Sequence, residues 1–126
     1  MMKKNIEEIA LEDGRFDVKA FRFVFEGLGR TVDKLKGESV EGEGRHITGA
    51  ELAEGLGGLA SERWGRLAMM VLGLWGVSTT RDFGDIVYLM ISHEWMSSTE
   101  GDTVEDFDDV FDFEEVFETK YRFRSV

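Results

Sequence analysis

The chain has 126 residues, 42% of them apolar, and fifteen bases against 26 acids give it a formal net charge of −11. That length suits one domain able to bury a core, and the absence of cysteine excludes disulfides, thiolate nucleophiles and cysteine-ligated metal sites. The acidity opposes direct nucleic-acid binding, whose affinity rests largely on lysine and arginine meeting phosphate.

Met1-Met2-Lys3-Lys4 lacks the apolar core of a signal peptide. The strongly apolar stretch Leu67 to Val77 falls far short of the ~20 residues that cross a bilayer. A cytoplasmic protein with no membrane role is expected. With no proline present, glycines and helix caps must set the chain's direction.

Ile6, Ile9 and Ala10 predict a short first helix. A long helix over Asp17 to Lys36 follows from Phe21, Val24, Phe25, Leu28, Val32 and Leu35, which recur at helical period. Phe16 and Phe23 lie off that stripe, so the helix is expected to touch neighbours on two sides. Gly37 to Gly44 has no periodicity and reads as an exposed, mobile loop.

Thr48-Gly49-Ala50-Glu51 matches the capping box and opens a helix carrying Leu52, Leu56 and Leu59 on one face. Gly55, Gly57 and Gly58 in that helix each cost about 1 kcal/mol relative to alanine, which close packing on another backbone would offset. Trp64, Leu67, Val71, Leu74 and Trp75 predict a third helix ending at Gly76. Ser78-Thr79-Thr80 then caps a fourth, Arg81 to Met96, whose wide apolar arc suits a central position.

The C-terminal quarter differs in kind. Residues 1–99 hold 12 bases and 16 acids; residues 100–126 hold 3 and 10. Val104, Phe107, Val110, Phe111, Phe113, Val116 and Phe117 are interleaved with those acids, so the segment has apolar surface to bury. Two short helices fit it best, and alternation at Phe111–Phe113 and Tyr121–Arg124 leaves a small β element open. The expected fold is all-α: one helical domain, 1–126, a bundle of about four main helices with an acidic, aromatic-rich segment from about residue 100.

Four blocks carry a resemblance. They are Glu12-Asp13-Gly14-Arg15-Phe16 leading to Ala20-Phe21-Arg22-Phe23-Val24, then Arg45-His46-Ile47-Thr48-Gly49. Thr80-Arg81-Asp82-Phe83-Gly84-Asp85-Ile86-Val87 follows Trp75-Gly76, and Asp106-Phe107 precedes Phe111-Asp112-Phe113. In this order the chain resembles, over nearly its whole length, a small family of bacterial cytosolic proteins with no assigned activity. It departs from the family at Asp17-Val18, where family members often have proline after the aromatic. The resemblance implies one intact cytosolic domain and no particular chemistry.

Candidate sites are few. Arg45, His46 and Thr48 at a helix N-terminus could bind a small anion or serve an enzyme there, against the plainer reading of a cap beside surface charges. His93 stands without a second histidine at metal-ligand spacing, so no metal and no cofactor are expected. Asp82-Phe83-Gly84 lacks every companion motif of a kinase and reads as a first-turn acid.

Asp102 to Glu115 lacks the ligand spacing of an EF-hand. Leu67 to Tyr88 could form a helix-turn-helix, yet its reading helix would turn Asp82 and Asp85 toward phosphate. Ser92-His93-Glu94 are adjacent and point apart on a helix, so they form no triad. The leading expectation is a non-enzymatic interaction domain that meets a protein partner, a basic one by charge complementarity, through Phe107, Asp108, Asp109, Phe111, Asp112 and Phe113. Mimicry of nucleic-acid charge is a variant of the same idea.

Overall fold

Four of the five α-helices in the computed structural model, which describes residues 3–38 and 46–119, begin at a polar side chain that takes over a backbone hydrogen bond. Asn5 opens α1 (Ile6–Asp13), accepting from the Glu8 amide at 2.8 Å. Asp17 opens α2 (Val18–Glu38), accepting from the Lys19 amide at 2.9 Å. Thr48 and Glu51 exchange bonds of 3.0 and 3.1 Å at the start of α3 (Gly49–Trp64). Thr79 and Asp82 do the same for α5 (Thr80–Ser92). Only α4 (Ala68–Leu74) starts without a side-chain cap. These bonds occupy donors that a helix leaves free at its N-terminus.

The fold is all-α, and no strand occurs among the described residues. α2 packs along α3, and α5 touches α1, α2 and α3. Phe83, Ile86, Val87 and Met90 of α5 are buried with Phe21, Phe23 and Val24 of α2 and Leu52, Leu56 and Leu59 of α3. Each such side chain contributes roughly 1.5–3 kcal/mol on leaving water. Phe16 and Phe23 are buried as well, so α2 does meet neighbours on two sides. Phe23 lies 5.2 Å from Trp64 and 6.1 Å from Trp75 between ring centroids.

Two of the three glycines in α3 repay their cost by close approach. A Cβ on Gly55 would overlap the Thr31 hydroxyl of α2, and one on Gly57 would lie 2.7 Å from the Phe111 ring. Gly58 faces open space.

The third predicted helix needs correcting. Trp64 closes α3, Gly65 turns the chain at φ +52°, and a 3₁₀ turn over Gly65–Leu67 leads into α4. Gly76, at φ +92°, ends the following turn as predicted. The inward residues of α4 are Ala68 and Leu72, while Leu67 and Leu74 face out. Small Ala68 lets the short helix lie close, and the longer side chains are left on the far side. α5 is also shorter than expected, ending at Ser92.

The acidic segment is part of the core. A 3₁₀ turn spans Val104–Phe107 and a π-helical turn Glu114–Thr119. Phe107, Phe113 and Phe117 are 3%, 5% and 0% exposed. Phe107 lies against Gly84, where a Cβ would come within 2.8 Å of its ring and Cβ. Phe113 packs on Phe83 at 5.7 Å and on Phe117 at 5.2 Å. Residues 39–45, with most of the predicted loop and Arg45, and the alternating Tyr121–Arg124 lie outside the described residues.

Candidate functional site

The corner at the start of α3 holds the expected His46 and Thr48, both exposed. His46 Nε2 lies 2.9 Å from Asp102 Oδ1 and 3.2 Å from the Thr99 hydroxyl. Thr48 is spent on the capping box. The Val104–Phe107 turn covers this end of α3, with Asp106 and Phe107 so near Gly49 that a Cβ there would lie 2.9–3.0 Å from them. Beneath is a cavity of about 60 Å³, lined by Leu28, Leu52, Val87, Ile91 and Met96, with Tyr88 at its side.

Electrostatics at this corner favour cations. The Asp102 carboxyl is held below its ordinary value because its ionised form accepts the Thr99 amide and a hydrogen bond from His46. Burial pushes the Tyr88 hydroxyl up, and Asp102, Asp106 and Glu105 push it further the same way. An anion approaching the helix end would meet these carboxylates along with the Glu51 cap. The cavity has room for only a few ordered waters. His46 and Thr48 are thus brought together in a corner where, among the described residues, carboxylates outnumber the groups that would draw an anion.

The six residues expected to meet a partner divide into two groups. Phe107 and Phe113 face the core, so contact with a partner is closed to them. Thr80 holds the turn between them and the surface. Its hydroxyl, 1% exposed, donates to the Phe107 carbonyl at 2.6 Å and accepts from the Val110 amide at 3.1 Å. Asp109 sits inside that turn at φ +49°, a conformation aspartate tolerates better than most residues.

Asp108 is exposed but bonds Arg81 at 2.8 Å. Arg81 also meets Asp85, which in turn meets Arg15 at 3.2 Å, so a chain of charges ties the N-terminal region to the acidic segment.

Asp109, Asp112, Glu114 and Glu115 are exposed, and no base pairs with them among the described residues. Phe111 is half-buried, stacked on Phe113 at 5.6 Å and seated over Gly57. Beside it runs an open groove of about 620 Å³ between α3 and the acidic segment. Gly57, Gly58, Val110, Phe111 and Val116 form its floor, and Glu54 and Glu62 stand at its edge. Nothing in the sequence placed Glu54 and Glu62 opposite Val110 and Val116; only the run Gly57-Gly58, which strips side chains from one strip of α3, hinted at a groove.

The remaining motifs are structural. Asp82 accepts from the Ser78 and Thr79 amides, Ser92 donates to the Leu89 carbonyl, and His93 closes α5. No group of three or more acids or histidines with metal-holding geometry occurs among the described residues. No described helix is long and apolar enough to cross a membrane. Comparison with protein-family models, curated proteins and solved structures found no match, so the family resemblance rests on the sequence blocks themselves.

Proposed function

We propose that this chain is a non-enzymatic interaction domain whose acidic surface takes up a basic, amphipathic segment of another protein. The observation that carries this reading is the α3 groove: an apolar floor at Val110, Phe111 and Val116 with Glu54 and Glu62 at its edge, and on the other side of Phe111 a second hollow lined by Asp109, Asp112 and Glu115. Such a surface suits a helix with leucine-like residues on one face and lysines on its flanks. The carboxylates of Asp109, Asp112 and Glu115, unpaired among the described residues, steer and orient the partner, while the apolar floor supplies affinity that salt does not screen.

Deleting the acidic segment cannot test this, because its phenylalanines are core. Surface variants can. Gly58 has open space where a side chain would stand, so Gly58→Leu fills the groove and leaves the fold intact. A labelled lysine–leucine amphipathic peptide, titrated by fluorescence anisotropy against the intact chain, should lose about tenfold or more in affinity with Gly58→Leu. Asp109→Lys combined with Asp112→Lys should weaken binding most at low salt. Equal binding by Gly58→Leu and the unaltered chain would remove the groove from the account.

A further inference from the structure

A second surface has the opposite character. From Leu67 to Thr80 the chain carries no charged residue, and this stretch includes α4. Leu67, Met70 and Leu74 recur at i, i+3 and i+7 and are 53%, 56% and 77% exposed. They form one stripe because Ala68 and Leu72 take the inward positions. Leu11 of α1, 84% exposed, stands with Leu74 on the rim of an open cleft of about 700 Å³ that Val18 and Trp75 also line. Together the four side chains expose apolar area on the order of 500 Å², near the top of what monomers leave uncovered.

We propose that a second copy of this chain covers this surface, forming an isologous dimer across α4. Three features point to a copy in place of a foreign partner. The surface holds both a projecting leucine pair and the cleft next to it, so a two-fold operation offers each knob a matching hollow.

Its charges are also self-complementary. Arg66, at the foot of the stripe, has no ion-pair partner among the described residues. The Glu114–Thr119 turn packs beside it against α4 and Gly65–Leu67, with Glu114 likewise unpaired among the described residues. One protomer therefore carries both halves of an intermolecular ion pair. Finally, the acids that give the chain its charge of −11 are absent from the stripe, so two copies meet there without the repulsion they would feel across the acidic groove. The exposed apolar area alone is more than half of the roughly 800 Å² per partner that a stable interface buries.

The test is the oligomeric state of the intact protein by sedimentation equilibrium from about 1 to 200 μM, a span that covers ordinary dimer affinities. The unaltered chain should sediment as a dimer, and Leu74→Glu and Met70→Glu should each weaken the dimer at least tenfold. Gly58→Ala, on the groove side, should leave it unchanged. Because the chain lacks cysteine, Met70→Cys introduces a unique thiol; mild oxidation should link two chains, whereas Gly58→Cys should stay unlinked. That pair also decides the matter if a glutamate variant fails to fold. A monomer throughout the range, or a dimer indifferent to both glutamates and linked no better through Met70→Cys than through Gly58→Cys, overturns the proposal. It stands apart from the groove, so failure of either leaves the other intact.

Discussion

Replacing Thr80 with valine should destabilise the protein by about 2–4 kcal/mol, because each buried polar group left without a partner costs roughly 1–3 kcal/mol. The two side chains have nearly the same shape, so packing around the site changes little. What disappears is the hydroxyl that joins the Phe107 carbonyl and the Val110 amide. The carbonyl belongs to a residue only 3% exposed, while the amide belongs to a half-buried one and recovers part of its loss. Added apolar character at position 80 returns about 0.8 kcal/mol, the scale of one buried methylene. Such a loss is a large share of the 5–15 kcal/mol that holds a typical domain together. Urea denaturation followed by tryptophan fluorescence measures it, and hydrogen exchange should show protection falling first over residues 104–119. Thr80→Ser keeps the hydroxyl and should lose only about 0.5–1.5 kcal/mol, the usual cost of a buried methyl. A valine variant within about 0.5 kcal/mol of the unaltered chain, or a serine variant equally damaged, would refute the role of the hydroxyl.

Two glycines of α3 should respond in opposite directions. Gly58→Ala meets nothing and should stabilise by up to about 1 kcal/mol through helix propensity, whereas Gly55→Ala would collide with Thr31 and should lower the melting temperature. Asp102 makes a prediction with a sign. Its folded pKa is depressed below 3.8, so its contribution is complete above that value and is lost as pH falls through the folded one. The melting-temperature gap between Asp102→Asn and the unaltered chain should therefore hold steady from about pH 5 to pH 4 and narrow below that; a gap that widens in acid contradicts the assignment. Finally, a chain ending at residue 99 loses three buried phenylalanines, about 5–9 kcal/mol of burial. It should show no cooperative transition in urea, and a sharp one would mean that helices α1–α5 close a core without the acidic segment.

Legibility from sequence followed from how local each signal is. Caps at Thr48 and Thr79 and the turn at Gly76 are decided within four residues, and they stand where the sequence puts them. α2 was legible because Phe21, Val24 and their neighbours repeat over about four turns. α4 was not, since its seven residues are apolar on every side and periodicity cannot choose a face. There tertiary contact made the choice: Ala68 and Leu72 are turned inward, and Leu67 and Leu74, no less apolar, are left outside.

The acidic segment shows the same limit in another form. Phe107, Phe111 and Phe113 look alike in sequence, yet two are core and one forms part of a groove's floor. What separates them is a pair of absent side chains, at Gly84 under Phe107 and Gly57 under Phe111, together with one hydroxyl on a distant helix. Gly84 and Thr80 lie on α5, so the helix that anchors the core also determines which carboxylates are turned outward. Function, on this reading, is set by the back of the segment: Thr80 and Phe113 hold it rigid, and rigidity lets Asp109, Asp112 and Glu115 present a fixed pattern of charge beside Val110 and Phe111. A loosened segment with the same composition would still attract basic peptides, but with little discrimination among them. Thr80→Val should therefore reduce selectivity between amphipathic and merely basic peptides more than it reduces affinity for either, and an unchanged ratio would separate the clamp from recognition.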